Sequence, residues 1–227
     1  MKVTISLIIT SILFATLTGF YFEKRINIPE TNPVAGFEYF PFITERTLIY
    51  NSNFGETKTT VAQNGNTYTI SNTSDDFNYV QSFLKKDDGI YITSTEHYLD
   101  VFLFISSENK IRYSEPALRI PFPLDIESQW FWEGIEYYDD DDSSNISIAG
   151  RFVGVETLST EAGEFECVRI ELVIESEYGS SSVINEWLAP NIGLVKLHAE
   201  LEGSGLIGVL QGILGFDEIK FQLKEII

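Results

Sequence analysis

Short runs of β-branched and aromatic residues alternate with turn residues through most of the chain. Strands at this spacing, without helical patterns of about 10–15 residues between them, predict an all-β fold. We expect an antiparallel curved sheet, a half-barrel or a barrel, with at most one or two short helices. The predicted strands are 47–50, 57–62, 67–70, 77–84, 90–94, 101–105, 117–120, 129–135, 146–157, 165–174, 183–188, 194–201 and 219–223.

Three turns between these runs carry specific signals. The Asn64-Gly65 dipeptide predicts a tight hairpin in which both central residues take positive φ. A second hairpin is predicted around residues 85–89, which end in a glycine. A third turn is predicted at residues 189–193, where a proline fixes φ and Gly193 supplies a permissive backbone.

The run 165–174 changes its hydrophobic phase. Apolar side chains stand at Phe165 and Cys167 and then, from Val168 onward, at even positions. A strand cannot switch faces without an extra residue, so we expect a bulge near Cys167 and Val168. The alternative is that both faces are buried there. In either case Cys167 is predicted to be a small buried hydrophobe.

The first residues have the pattern of an export segment. Lys2 precedes an uncharged, largely apolar run that ends at residue 22. This is the form of a secretory signal, and its length of about 20 residues also suffices to span a bilayer. We expect residues 1–22 to be a signal peptide or an N-terminal membrane anchor, 23–36 a linker, and 37–227 a single β-rich domain. The protein is then periplasmic, secreted or anchored to the outer side of a membrane.

Charge narrows the set of partners. The chain has 15 Lys and Arg against 34 Asp and Glu, for a net charge of -19. This excludes nucleic acid, because phosphate binding needs clustered cations. It also argues against electrostatic docking on anionic lipids, so membrane contact is expected only through an uncleaved N-terminal segment. With one cysteine and two histidines, no metal or other cofactor is expected.

Catalytic signatures are absent from the sequence. His97 and His198 stand in no metal-ligand spacing, and no nucleophile elbow, phosphate loop or dinucleotide fingerprint occurs. The acidic run 139–142 does not fit the calcium loop template. The protein is therefore predicted not to be an enzyme. A pocket that holds two carboxylates with raised pKa values would favour an enzyme instead. The carboxylates near motif-like segments are Glu164, Glu166, Glu171 and Glu186.

An apolar stretch at residues 203–216 carries no charge and contains five glycines. It is predicted to be a lid over an apolar cavity or a membrane-touching loop, because exposed apolar segments mark contact sites. The alternative is a loop or short helix packed on the open end of the sheet. The predicted ligand-binding residues are Leu206, Val209, Leu210, Ile213, Leu214 and Trp187.

The tryptophans are predicted to line one wall. Trp130 and Trp132 share a strand face because they are two residues apart. With Phe165 and Trp187 they are expected to form the wall of the main core or of an internal cavity.

Several segments together resemble the TapB-like family of exported β proteins. They are Tyr39-Phe-Pro-Phe42 leading to Tyr50, then residues 122–130, 163–170 and 186–196. The resemblance implies a β-rich domain, export and an unassigned role, and the family supplies no catalytic residues to carry over to this chain. It also suggests a curved sheet like that of the lipoprotein carriers LolA and LolB.

These observations favour an exported, non-enzymatic binding or carrier module for an apolar, lipid-like ligand. The alternative is a structural or protein-interaction component of the cell envelope. The expected partner is accordingly a hydrophobic small molecule or an envelope protein.

Overall fold

Twelve β-strands and one short 3-10 helix form the regular structure of the described residues. The computed structural model describes residues 34–75, 77–101, 105–138, 142–177, 180–202 and 217–227. The 3-10 helix is Phe37–Tyr39. The strands are β1 (Thr47–Ser52), β2 (Gly55–Asn64), β3 (Thr67–Thr73), β4 (Phe77–Lys86), β5 (Gly89–Val101), β6 (Ile105–Pro121), β7 (Gln129–Tyr137), β8 (Ser143–Thr160), β9 (Gly163–Ser176), β10 (Ser181–Ala189), β11 (Gly193–Glu202) and β12 (Glu218–Ile226).

The strands close into an antiparallel barrel. Each strand pairs with its neighbours along the chain, and β12 returns to pair with β1. The closing ladder runs from Leu48 opposite Ile226 to Ser52 opposite Phe221. The predicted all-β antiparallel fold is confirmed, and of the predicted architectures the structure adopts the barrel. No described helix is long and apolar enough to cross a membrane.

The predicted hairpins are present, with one shift in register. Asn64 still belongs to β2 and pairs with Thr67, so the two turn residues are Gly65 and Asn66. Gly65 has a φ of 59°, while Asn64 stays extended within its strand. The predicted turn at Asn64-Gly65 is therefore wrong by one residue, because pairing extends one position further than the sequence pattern indicated.

The phase change in β9 is explained by burial on both sides of the strand. Cys167 and Val168 are 0% and 1% exposed, and they belong to two different hydrophobic clusters. The expected bulge near Cys167 and Val168 is wrong in its position. The register shift lies instead on the neighbouring strand β8, between Phe152 and Gly154.

The tryptophans divide between the same two clusters. Trp130 and Trp132 belong to the larger one, which fills part of the barrel interior. Trp187 belongs to the second cluster, with Phe165 packed against it. The predicted single wall is therefore wrong, because β7 and β10 contribute their tryptophans to separate packing regions.

The segment that precedes β1 packs against the larger cluster. Ala35 is 2% exposed and forms an isolated bridge with Leu124. Phe37 and Phe40 also pack against this cluster, and the Phe40 ring lies 5.6 Å from that of Phe83. The backbone N–H of Asn191 donates to the carbonyl oxygen of Glu38 over 2.6 Å, which ties the segment to the β10–β11 turn.

Candidate functional site

The barrel encloses a partly open cavity of about 880 Å³. This volume lies within the range of about 300–1,000 Å³ that is typical of small-molecule sites. The lining is predominantly apolar and comes from most of the strands. Representative apolar lining residues are Val61, Ile70, Ile111, Ile174, Ile184 and Leu197.

Period-two alternation along the strands produces this lining. On β11, Leu197, Ala199 and Leu201 line the cavity, whereas His198 and Glu200 between them do not. Ile184 of β10 stands opposite Ala199 in the ladder and also lines the cavity. Because successive side chains of a strand point to opposite faces, the apolar set faces inward and the polar set faces outward.

A buried ion pair crosses the interior of the barrel. The Arg119 Nη2 atom donates to Glu186 Oε1 over 2.5 Å, and the side chains are 11% and 7% exposed. Arg119 lies on β6 and Glu186 on β10, and three strands separate them along the sheet. Desolvation of a buried ion pair costs several kcal/mol per ion unless the remaining polar atoms are also satisfied. In this pair, Arg119 Nη1 and Glu186 Oε2 are buried without a hydrogen-bond partner.

Neutral hydroxyl groups lie near the ion pair. The Thr95 side chain lies beside the phenols of Tyr79 and Tyr113, and its interaction with them lowers the pKa of each. Burial raises the pKa of both phenols, and the charge of Arg119 partly opposes that rise. Because all three groups stay protonated at neutral pH, they can both donate and accept hydrogen bonds.

His97 is a further polar group in the cavity wall. It is 5% exposed, and its Nε2 atom has no hydrogen-bond partner. Burial lowers its pKa, because desolvation disfavours the charged imidazolium. The imidazole is therefore neutral at physiological pH and can present a donor or an acceptor to the cavity.

Glu136 is held by internal hydrogen bonds. It is 4% exposed, and its Oε1 atom accepts from the hydroxyls of Tyr138 at 2.6 Å and Ser176 at 2.7 Å. The Ser176 hydroxyl also lies 2.9 Å from that of Ser144. This network joins β7, β8 and β9, so Glu136 cross-links strands and is already occupied as an acceptor.

The predicted ligand-binding residues fall into two groups. Leu206, Val209, Leu210, Ile213 and Leu214 lie outside the described residues, so the lid remains a prediction. The flanking residues Leu201 and Ile219 do line the cavity.

Trp187 is described and is not among the cavity-lining side chains. It is 7% exposed, its Nε1–H donates to Glu156 Oε2 over 2.9 Å, and Lys196 Nζ lies 4.6 Å from its ring centroid. These contacts give Trp187 a packing role in the second cluster.

The carboxylates suggested by the sequence do not converge. Glu164 and Glu166 are exposed, and Glu171 accepts from Arg151 over 2.7 Å. Of the four, only Glu186 lines the cavity. Within the described ranges, no group of three or more His, Cys, Asp or Glu side chains could hold a metal ion.

The sequence did not predict Arg119 or His97 as site residues; His97 was noted there only as a histidine outside any metal-ligand spacing. The available signal was a single cation inside an apolar run at 117–120, matched by a single anion, Glu186, inside another at 183–188. A charge in a strand that is otherwise buried implies a buried partner. The sequence cannot show which charge supplies that partner.

Comparison with known proteins gives partial matches. A family model described as DUF3108-like matches residues 135–200, which is less than a third of the chain. No curated protein matches. The resemblance to the TapB-like family and to the LolA and LolB carriers remains a prediction.

Three solved structures are similar over most of the chain. A candidate lipoprotein from Parabacteroides distasonis ATCC 8503 is 13% identical, with a TM-score of 0.42, covering 83% of this chain and 98% of that one. The hypothetical lipoprotein YmcC from Escherichia coli K12 is 14% identical, with a TM-score of 0.41, covering 81% and 88%. A candidate exported protein with a YmcC-like fold from Bacteroides fragilis NCTC 9343 is 14% identical, with a TM-score of 0.33, covering 82% and 97%. The chain is thus similar to proteins described as lipoproteins or exported proteins.

Proposed function

We propose that the protein is an exported, non-enzymatic binding module that holds one apolar, lipid-like molecule inside its barrel. The observation that carries this proposal is the cavity of about 880 Å³ with its predominantly apolar lining. Burial of each methylene group of a ligand contributes about 0.8 kcal/mol. A long acyl chain can therefore offset the cost of association, which is about 4–15 kcal/mol.

A direct test uses an environment-sensitive fluorescent fatty acyl probe titrated into the purified mature protein. Ala199 is 3% exposed and lines the cavity, so Ala199→Trp places an indole in the space that the probe needs. Glu200→Trp is the matched control, since residue 200 is the next position of the same strand and is exposed on the outer face.

The proposal predicts saturable binding to the wild type with one probe per chain. Ala199→Trp should weaken that binding by at least about tenfold, and Glu200→Trp should leave it within about twofold, because only the first places a large side chain in the cavity. Absence of binding to the wild type, or equal loss in both variants, would contradict a site inside the barrel.

The compartment and the fate of the N-terminal segment belong to the same proposal. We place the protein in the periplasm, in the medium or on the outer side of a membrane, according to whether residues 1–22 are cleaved. The alternative role, as a structural or protein-interaction component of the envelope, stays a prediction.

A further inference from the structure

Arg119 and Glu186 line the cavity as an ion pair, and each keeps one buried polar atom without a partner. We infer that this pair recognises the head group of the ligand, and that the head is an uncharged group which both donates and accepts hydrogen bonds, such as a hydroxyl or an amide. The inference rests on the proposed function, because it names the class of molecule that the cavity takes.

Two polar atoms of the pair are buried without a hydrogen-bond partner. Buried polar groups in folded proteins almost always have a hydrogen-bond partner, and each exception needs an explanation. Glu186 is 6% exposed, yet its Oε2 atom accepts no hydrogen bond, and Arg119 Nη1 donates none. A free acceptor and a free donor on two side chains in direct contact are complementary to a single group that carries one donor and one acceptor.

The opposite charges of Arg119 and Glu186 also favour an uncharged head group. The pair carries no net charge. A carboxylate placed against Arg119 would also lie near the Glu186 anion and be repelled by it, and an ammonium placed against Glu186 would be repelled by the Arg119 cation. The lining also contains Arg46, Glu136 and Asp142, of which Asp142 is exposed. The Arg46 guanidinium donates to the backbone oxygens of Asn191 and Ile192 at 2.5 and 2.6 Å, and Glu136 accepts from two hydroxyls, so these two groups already have hydrogen-bond partners.

The surroundings of the pair also suit an uncharged head. The hydroxyls of Tyr79, Thr95 and Tyr113 are neutral groups that can extend a hydrogen-bond network. Beyond these polar groups the lining is predominantly apolar, as a hydrocarbon chain attached to the head requires. The site is thus specific for an apolar chain with a neutral polar end.

The test compares four molecules that share one acyl chain length and differ in the head: palmitamide, monopalmitoylglycerol, palmitate and hexadecylamine. Each displaces the fluorescent probe from the wild type at about pH 8, where the carboxylate and ammonium heads are charged. The two neutral molecules should bind at least about tenfold tighter than the two charged ones, as expected when hydrogen bonds to charged side chains are gained or lost. The palmitamide and monopalmitoylglycerol arms distinguish an amide from a hydroxyl head.

Charge variants then move the preference in opposite directions. Glu186→Gln leaves the Arg119 cation unbalanced, so palmitate should gain at least about tenfold relative to palmitamide. Arg119→Gln leaves the Glu186 anion unbalanced, so hexadecylamine should gain instead. Joint replacement of both residues by Met keeps a buried site without charge, which is often tolerated. Charged heads still lose their hydration there, but the neutral heads lose their hydrogen-bond partners, so the advantage of the neutral molecules should become smaller than in the wild type.

Equal affinity of the wild type for neutral and charged heads would overturn the inference, as would an unchanged order of affinities in the variants that fold. If a single variant does not fold, the wild-type ranking and the double replacement still decide. Absence of binding by every probe would contradict the proposed function itself, and the inference with it.

Discussion

Gly150 and Trp130 form a cross-strand pair that fixes how the core packs between β7 and β8. They stand directly opposite each other in the ladder. A Cβ atom at residue 150 would lie 2.1 Å from Cε2 and 2.5 Å from Nε1 of the Trp130 indole. Trp130 is 8% exposed and belongs to the larger hydrophobic cluster, so the ring cannot move away without opening the core. We expect Gly150→Ala to lower the free energy of unfolding by about 1–3 kcal/mol, the usual cost of overpacking.

Urea denaturation measures this effect against a matched control. Gly154 lies on the same strand, and a Cβ atom there would meet nothing within 4 Å. Gly154→Ala should therefore stabilise by about 0.4–1 kcal/mol, because alanine reduces the entropy of the unfolded chain. For a domain of this size each kcal/mol corresponds to a change in Tm of about 2–4 °C.

A double-mutant cycle identifies the cause. Trp130→Leu removes the indole atoms that the new methyl group would meet, so Gly150→Ala should cost little in that background. Equal effects of the two glycine substitutions in the wild type would refute the reasoning. An undiminished cost of Gly150→Ala beside Leu at position 130 would refute it as well.

Three further predictions follow from buried side chains outside this pair. Trp187→Ala should cost about 3–5 kcal/mol in urea denaturation, because it removes a buried indole and the hydrogen bond to Glu156; an unchanged midpoint would place the indole on the surface. Because burial lowers the pKa of His97, the unfolded chain takes up a proton near its ordinary value of 6.5 while the folded protein does not. The wild type should therefore lose stability as the pH falls below about 6.5, and His97→Gln should lose less over the same interval; parallel curves for the two proteins would contradict this. Cys167 is 0% exposed and burial raises its pKa to about 11, so it should react with a thiol reagent only after unfolding; fast reaction of the native protein would contradict that burial.

The strands were predictable where alternation is strong and turn residues are distinctive. Both predicted hairpins are present. Gly65 takes up the positive φ of its turn, whereas Gly89 begins β5 directly after the turn residues 87 and 88. The turn at 189–193 is also as predicted, with φ values of 61° at Asn191 and 90° at Gly193. Local chemistry fixes these features, so a single sequence suffices to find them.

Strand predictions were wrong where the limits of a strand do not coincide with a run of apolar residues. The predicted strand 101–105 is wrong, because Val101 ends β5 and Ile105 begins β6, and the two residues are ladder partners. β6 runs over Ile105–Pro121, although only 117–120 was predicted. Its first half is polar, and cross-strand pairing rather than hydrophobicity holds it in the sheet. Closure by β1 and β12 likewise depends on a long-range ladder that no local pattern reveals.

The sequence predicted a site for an apolar ligand, but it did not predict which residues line the cavity. An apolar ligand was inferred from segment 203–216, whereas the described cavity is lined by strand residues such as Ile184 and Ala199. The Arg119–Glu186 pair joins residues on strands that are not neighbours. Its existence depends on barrel closure, so a sequence without the fold cannot supply it.

Native mass spectrometry of the protein purified in its exported form, without added lipid, tests the central claim most directly. We expect a species heavier than the bare chain by the mass of one lipid-like molecule. The same preparation of Ala199→Trp should show mostly the bare mass, while Glu200→Trp should carry the same adduct as the wild type. Detection of the wild-type protein only at the mass of the bare chain, both before and after incubation with monopalmitoylglycerol, would contradict the claim that the barrel holds an apolar ligand.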